Sequence, residues 1–246
     1  MKADPFAQLR LLDLQALDTA LDQLAHKRRT LPEIAEMTKR DQLVAERRDD
    51  VALAQSTVAD LQRELDKAEA DIEQVRVRKA RDEDRLSSGA ITASKQLEEL
   101  QHEVATLTKR TSDLEDAELE VMERMEDAQK TLDALLAERA EHVQARADAE
   151  VARDAGWAAI DGELATHTAE RATIAAEIPA DLLALYEKIR AAEGGTGAGA
   201  IERGRCGACR LDLMNNEKVE YRAAPVDEVL RHECRRILVR TAESGL

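Results

Sequence analysis

The sequence predicts a mainly α protein, in which a long antiparallel coiled-coil hairpin precedes a small C-terminal β domain. Three observations predict this fold class. Apolar residues recur at alternating steps of three and four over much of the chain, which is the spacing of a coiled-coil seam. One segment rich in turn residues interrupts that spacing near residue 90. All three cysteines lie beyond residue 200.

The composition supports long helices. Aromatic residues make up 2% of the chain and charged residues 35%, so a broad globular core is excluded and helices packed along a seam are favoured. The net charge of −15 argues against a chain whose whole surface binds nucleic acid. From Gly194 onward nine basic residues accompany eight acidic ones, so the excess acid belongs to the helical part.

Residues 1–178 are predicted to form the helical hairpin, with its turn near residues 87–93. Gly89 lies in that turn and can adopt positive φ. Residues 5–86 and 94–176 would then be arms of nearly equal length, and Pro32 should kink or break the first arm. The first long seam comprises Val51, Ala54, Val58, Leu61, Leu65, Ala68, Ile72 and Val75; the second comprises Leu97, Leu100, Val104, Leu107, Leu114, Val121, Met125, Ala128, Leu132 and Leu135.

Three shorter segments follow the hairpin. Residues 179–193 are predicted to form a connecting helix, because Leu182, Leu185, Tyr186 and Ile189 share one helical face. The glycine-rich run at 194–200 is predicted to be a flexible linker. Residues 201–246 then form the small domain, with short strands predicted at 218–223, 228–231 and 236–240.

Cysteine spacing predicts a metal site in the last segment. Cys206 and Cys209 form a Cys-x-x-Cys turn, and His232 and Cys234 follow some two dozen residues later, which is a typical layout for structural zinc. A domain this small needs metal to hold itself together. A redox Cys-x-x-Cys pair is less favoured because no βαβ pattern surrounds Cys206, and no general base stands at a spacing that indicates catalytic zinc.

The chain resembles the bacterial family that joins a long coiled-coil hairpin to a C-terminal four-cysteine zinc ribbon, a family that includes flagellar and secretion-linked regulators. The resemblance covers essentially the whole length. It is carried by the stretches 88–92, 96–103, 119–124, 185–190, 205–209, 227–229 and 236–240.

The second ligand turn departs from the family's Cys-x-x-Cys-Gly pattern. His232 takes the place of the first cysteine when residues are counted from Asp227, one residue is missing before Ile237, and Arg235 replaces the glycine. A Cys3His zinc site formed by Cys206, Cys209, Cys234 and His232 is one interpretation. The other is a weakened three-thiolate site, holding water or no metal. Arg235 would be strained if its position must be left-handed.

These features predict a non-enzymatic adaptor whose rod and zinc ribbon bind protein partners. The resemblance implies the same, since members of that family bind a sigma factor, export components or RNA. The alternative is an RNA- or DNA-binding protein, with phosphate contacts from arginines of the last segment. The candidates are Arg205, Arg210, Arg222, Arg235, Arg236 and Arg240. With no apolar stretch long enough for a signal peptide or a membrane span, a cytoplasmic protein without membrane contact is expected.

Overall fold

A computed structural model describes residues 1–89 and 91–246 of the chain. They form two compact units. The first unit consists of Met1–Ile34 together with Glu150–Leu246, and the second consists of Ala35–Ala149.

The predicted fold class, mainly α with a long helical hairpin and a small C-terminal sheet, is confirmed. Helices α1 (Pro5–Arg29), α2 (Pro32–Ser87), α3 (Ser94–Ala176) and α4 (Ala180–Ala192) account for most of the chain. Among residues 1–89 and 91–246, no helix combines the length and the apolar character that crossing a membrane requires.

In the second unit, α2 and the first part of α3 run antiparallel. Ion pairs between the two helices show this direction, because the residue number on α3 falls as the number on α2 rises. The pairs include Arg47–Glu138 at 2.9 Å, Glu64–Arg124 at 3.2 Å and Arg76–Glu115 at 2.6 Å.

Both long seams are buried or half-buried along these helices, with one exception. Val51, Leu61, Leu65 and Ile72 are buried on α2, and Leu100, Leu107, Val121 and Leu132 are buried on α3. Leu97 is the exception, because it lies in the exposed first turn of α3. The segment between α2 and α3 contains Gly89, whose φ of 66° is left-handed as predicted; residue 90, which belongs to the turn predicted from the sequence, lies outside the described residues.

In the first unit, the first helical arm breaks before Pro32, as the missing proline N–H requires. The indole of Trp157 supports the break. Its Nε1 donates to the carbonyl of Arg28 at 3.0 Å, which satisfies one of the free carbonyls at the end of α1. The guanidinium groups of Arg28 and Arg153 lie 4.7 and 4.5 Å from the indole ring.

A four-stranded sheet follows α4. Its strands are β1 (Ala198–Glu202), β2 (Arg205–Cys206), β3 (Leu230–Arg231) and β4 (Ile237–Val239), in the order β2-β1-β4-β3. Strands β1 and β4 are parallel, and the two outer pairings are antiparallel. We call residues 198–246 the C-terminal segment. One side of its sheet packs with α1 and α4 through the buried residues Leu11, Leu14, Leu182, Tyr186, Ile237 and Val239.

The glycine-rich run differs from the predicted linker. Strand β1 begins at Ala198, inside that run, and two glycines of the run, Gly197 and Gly199, allow close packing. A Cβ added to Gly197 would lie 2.8 Å from the ring of Tyr186, and one on Gly199 would lie 2.5 Å from the backbone nitrogen of Ala208. These two positions therefore need glycine because a Cβ would not fit there.

The strand predicted at 218–223 is wrong, because these residues belong to helix α5 (Asn215–Ala223). Glu217 accepts a hydrogen bond from the backbone N–H of Met214 at 2.8 Å, which caps the first turn. Glu217 and Tyr221 are both buried and lie four residues apart, so they share a helical face. This four-residue spacing is the helical feature that a strand interpretation overlooks.

Candidate metal centre

The first ligand turn is closed by backbone hydrogen bonds around Cys206. The N–H of Cys206 donates to the carbonyl of Leu211 at 2.9 Å, and the N–H of Arg210 donates to the carbonyl of Cys206 at 2.7 Å. The N–H of Cys209 points at the Cys206 sulfur, 3.4 Å away. A Cβ on Gly207 would lie 2.7 Å from the carbonyl oxygen of Ala200, so the turn needs glycine there. Both thiols are thereby held on the same side of the turn.

The second ligand turn links β3 to β4 and is one residue tighter. The N–H of His232 donates to the carbonyl of Arg236 at 3.1 Å, and the N–H of Arg235 donates to the carbonyl of His232 at 2.8 Å. The N–H of Cys234 lies 3.4 Å from Nδ1 of His232. His232 is buried and Cys234 is half-buried.

The two turns bring the four predicted ligands together. One ligand atom each from Cys206, Cys209, His232 and Cys234 lies within 4.8 Å of the others. The sulfurs of Cys206 and Cys234 are 3.9 Å apart, and the Cys209 sulfur is 3.5 Å from Nδ1 of His232.

These separations fit a tetrahedral metal ion. Metal–sulfur distances of about 2.3 Å and a metal–nitrogen distance of about 2.0 Å place two sulfurs about 3.8 Å apart and a sulfur about 3.5 Å from the nitrogen. The observed separations of 3.9 and 3.5 Å agree with both values. Two ligand separations thus match a tetrahedral ion and the others are no longer than 4.8 Å, so the three cysteines and His232 can gather around one metal ion.

The two thiols of the first turn differ in acidity. Burial raises the pKa of Cys206 to about 12. Burial acts in the same direction on Cys209, but hydrogen bonds from the backbone of Leu211 and from the neighbouring cysteines outweigh it, so its pKa lies below the usual value. Of the two, Cys209 therefore loses its proton more readily.

Each ligand turn ends in a left-handed arginine. The φ angles of Arg210 and Arg235 are 65° and 66°. The sequence raised this question only at Arg235, where the resembling family has glycine, and the structure shows that the strained conformation is adopted in both turns.

The arginines predicted to contact phosphates divide into two groups. Three are engaged within the protein: Arg205 pairs with Asp212 at 3.0 Å, Arg236 donates to the carbonyls of Glu193 and Thr196, and Arg240 donates to those of Ala224 and Pro225. The side chains exposed to solvent include those of Arg210, Arg222 and Arg235.

Sequence reasoning missed one residue beside the site. Glu217 lies on α5, is 7% exposed, and places Oε1 3.9 Å from Nε2 of His232. Its carboxylate also accepts from the hydroxyl of Tyr221 at 3.2 Å. The signal in the sequence is the four-residue spacing of Glu217 and Tyr221, which becomes informative once the segment is recognised as helical.

Comparison with known proteins identifies relatives across nearly the whole chain. A protein of Mycobacterium tuberculosis, described as uncharacterised, is 40% identical over 248 residues, covering 98% of both chains. A second uncharacterised protein, from Mycobacterium leprae, is 33% identical over 224 residues, covering 89% of this chain and 94% of its own.

Solved structures show the same fold. A structure from Mycobacterium smegmatis matches with a TM-score of 0.84 and 34% identity, covering 98% of this chain and 100% of that one. The structure of CT398 from Chlamydia trachomatis matches with a TM-score of 0.66 and 18% identity, covering 96% and 98%. The family model of the CT398-like coiled-coil hairpin domain matches residues 14–194. The chain therefore belongs to the CT398-like coiled-coil hairpin family.

Proposed function

We propose that this protein is a non-enzymatic adaptor, in which a structural zinc ion shapes the C-terminal segment into a ribbon that binds protein partners. The observation that carries the proposal is the convergence of Cys206, Cys209, His232 and Cys234 within 4.8 Å of one another, with two of their separations at tetrahedral values. Four protein ligands close the coordination shell, which is typical of structural zinc, whereas catalytic zinc keeps one position for water or substrate.

Zinc is the metal that this ligand set favours. Three thiolates and one imidazole suit a soft to borderline ion with tetrahedral geometry. A cytoplasmic location fits the same proposal, because a reducing compartment keeps the cysteines available as ligands. Zinc would contribute folding free energy to a segment whose strands are two to five residues long.

Exposed apolar side chains support partner binding by the same segment. Leu211, Met214, Val219 and Val226 are 63%, 57%, 65% and 72% exposed. They lie in and around α5, on the chain between the two ligand turns. Single exposed apolar residues are common, but several within one short segment favour a protein-binding surface. Zinc would support this surface by fixing the turns on either side of it.

Nucleic-acid binding is the second candidate, favoured by the exposed side chains of Arg210, Arg222 and Arg235. The contacts of Arg236 and Arg240 within the protein support it less, because guanidinium groups that hold backbone carbonyls are poorly available to phosphates. Binding of labelled RNA and DNA between about 50 and 200 mM salt tests this candidate, since phosphate contacts give a steep salt dependence.

The adaptor proposal is tested by measuring zinc content and partner capture on the same samples. Wild type should retain one zinc per chain, and Cys206→Ser should lose both zinc and its ribbon-dependent partners. Leu211→Asp should keep zinc and lose those partners. The matched control is Leu53→Asp, which changes a leucine of similar exposure in the second unit and should alter neither property.

Two results would contradict the proposal. If wild-type protein purified without chelator carries no zinc, the zinc part of the proposal is wrong. Partners retained in full by both Cys206→Ser and Leu211→Asp would place binding outside the C-terminal segment.

A further inference from the structure

Glu217 is an unusual buried charge in the C-terminal segment. Its side chain is 9% exposed, and buried carboxylates are rare unless they are paired. One oxygen, Oε2, accepts from the backbone N–H of Met214 at 2.8 Å. The other, Oε1, accepts from the Tyr221 hydroxyl at 3.2 Å and lies 3.9 Å from Nε2 of His232. The carboxylate is therefore held from two sides and directed at the imidazole.

The two nitrogens of His232 face different surroundings. Nδ1 lies 3.5 Å from the Cys209 sulfur, and Nε2 faces Glu217. An imidazole that ligates a metal through Nδ1 is neutral and carries its proton on Nε2. That N–H is buried and needs an acceptor, and a shift of roughly 1 Å would bring Oε1 of Glu217 within hydrogen-bond distance.

Tyr221 connects this carboxylate to the backbone beside the ligand. Its single hydroxyl hydrogen faces two acceptors, Oε1 of Glu217 at 3.2 Å and the carbonyl oxygen of Arg231, the residue immediately before His232, at 3.0 Å. Glu217 and Tyr221 lie on successive turns of α5, so one helix face contacts both the side chain and the flanking backbone of the ligand turn.

We propose that Glu217 is a positioning residue for the metal, which accepts the Nε2 proton of His232 in a hydrogen bond and so keeps Nδ1 directed at the three sulfurs. The proposal rests on the zinc site proposed above and adds an outer partner to it. Carboxylates that accept from a ligating imidazole fix its tautomer and orientation and raise its basicity. A cysteine thiolate in place of His232 would have no N–H and could not donate a hydrogen bond to this carboxylate.

The test is a competitive zinc titration of Glu217→Gln. Glutamine retains an oxygen that can cap the first turn of α5, so this change removes the charge while preserving the cap. We expect zinc affinity to fall about 10- to 100-fold, the usual effect of losing such a partner. The matched control is Glu220→Gln, which makes the same change at an exposed position of the same helix and should leave the affinity unchanged.

The same substitution made in His232→Cys protein distinguishes a role in positioning His232 from a general structural role of Glu217. In His232→Cys protein, Glu217→Gln should cost little further zinc affinity, and cobalt(II) spectra should change with Glu217→Gln only where His232 is present. Equal zinc affinities for wild type and Glu217→Gln, or an equal loss in both backgrounds, would overturn the proposal. A wild type that binds no zinc would instead overturn the metal site itself.

Discussion

The two ligand turns of the candidate metal site are built alike, although the second is one residue shorter. An arginine precedes the first ligand of each turn: Nη2 of Arg205 donates to the carbonyl of Arg210 at 3.1 Å, and Nη2 of Arg231 donates to that of Arg235 at 3.0 Å. Both accepting arginines are left-handed. The turns differ in their first ligand, which is a cysteine in one and a histidine in the other.

If the cluster binds zinc as proposed, this difference explains how the second turn can be one residue shorter. An imidazole places its nitrogen farther from the backbone than a thiol places its sulfur, so His232 can reach the ligand cluster from a tighter turn. Nδ1 of His232 lies as close to the Cys209 sulfur as a tetrahedral ion requires, at 3.5 Å. Turn length and ligand size therefore compensate for each other.

The largest effect is expected from removing a thiolate. If each ligand supplies a quarter of the roughly 10–16 kcal/mol typical of structural zinc, Cys209→Ser should weaken zinc binding by roughly a hundredfold or more. His232→Ala should weaken it by only about ten- to a hundredfold, because water can take the fourth position of a three-ligand site. Competition with a chromophoric chelator measures both. Equal losses would mean that the two turns contribute alike.

The next largest change in zinc affinity is expected from variants that test whether the larger ligand compensates for the shorter turn. His232→Cys should lower zinc affinity about tenfold, or about 1.4 kcal/mol, because the shorter side chain must reach from the tight turn. Inserting one glycine between Glu233 and Cys234 should restore affinity in that variant. The same insertion beside the native His232 serves as the control and should weaken binding. An affinity for His232→Cys above that of wild type would contradict the compensation.

The helical hairpin and the ligand cluster could be predicted from the sequence because both depend on local spacing. The seams needed only the three-and-four period, and the ligands needed only the Cys-x-x-Cys turn and a second Cys with a nearby His. Helix α5 was missed because a nine-residue helix offers too few repeats to distinguish it from a strand. The packing of Gly197 against Tyr186 was missed because a close approach between side chain and backbone leaves no local pattern.

A smaller effect should come from the left-handed arginines. Arg210→Gly and Arg235→Gly should each stabilise the zinc-loaded segment by about 1 kcal/mol, because glycine adopts positive φ without steric cost. Arg222→Gly is the matched control: it makes the same change inside α5 and should destabilise the segment by about 1 kcal/mol. Zinc release during urea titration measures all three. Destabilisation by the first two variants would show that the arginine side chains matter more than their backbone strain.

The smallest expected effect concerns a further contact of the first turn. Arg205 pairs with Asp212 at 3.0 Å, and their side chains are 59% and 76% exposed. Because exposed pairs contribute little and are screened by salt, Asp212→Asn should cost at most about 0.5 kcal/mol at low ionic strength and less near ~1 M salt. Glu233→Gln removes an exposed carboxylate from the second turn and is the matched control. Urea-induced zinc release at both salt concentrations measures the difference. A cost for Asp212→Asn that persists undiminished in high salt would mean that Asp212 supports the turn through something other than its charge.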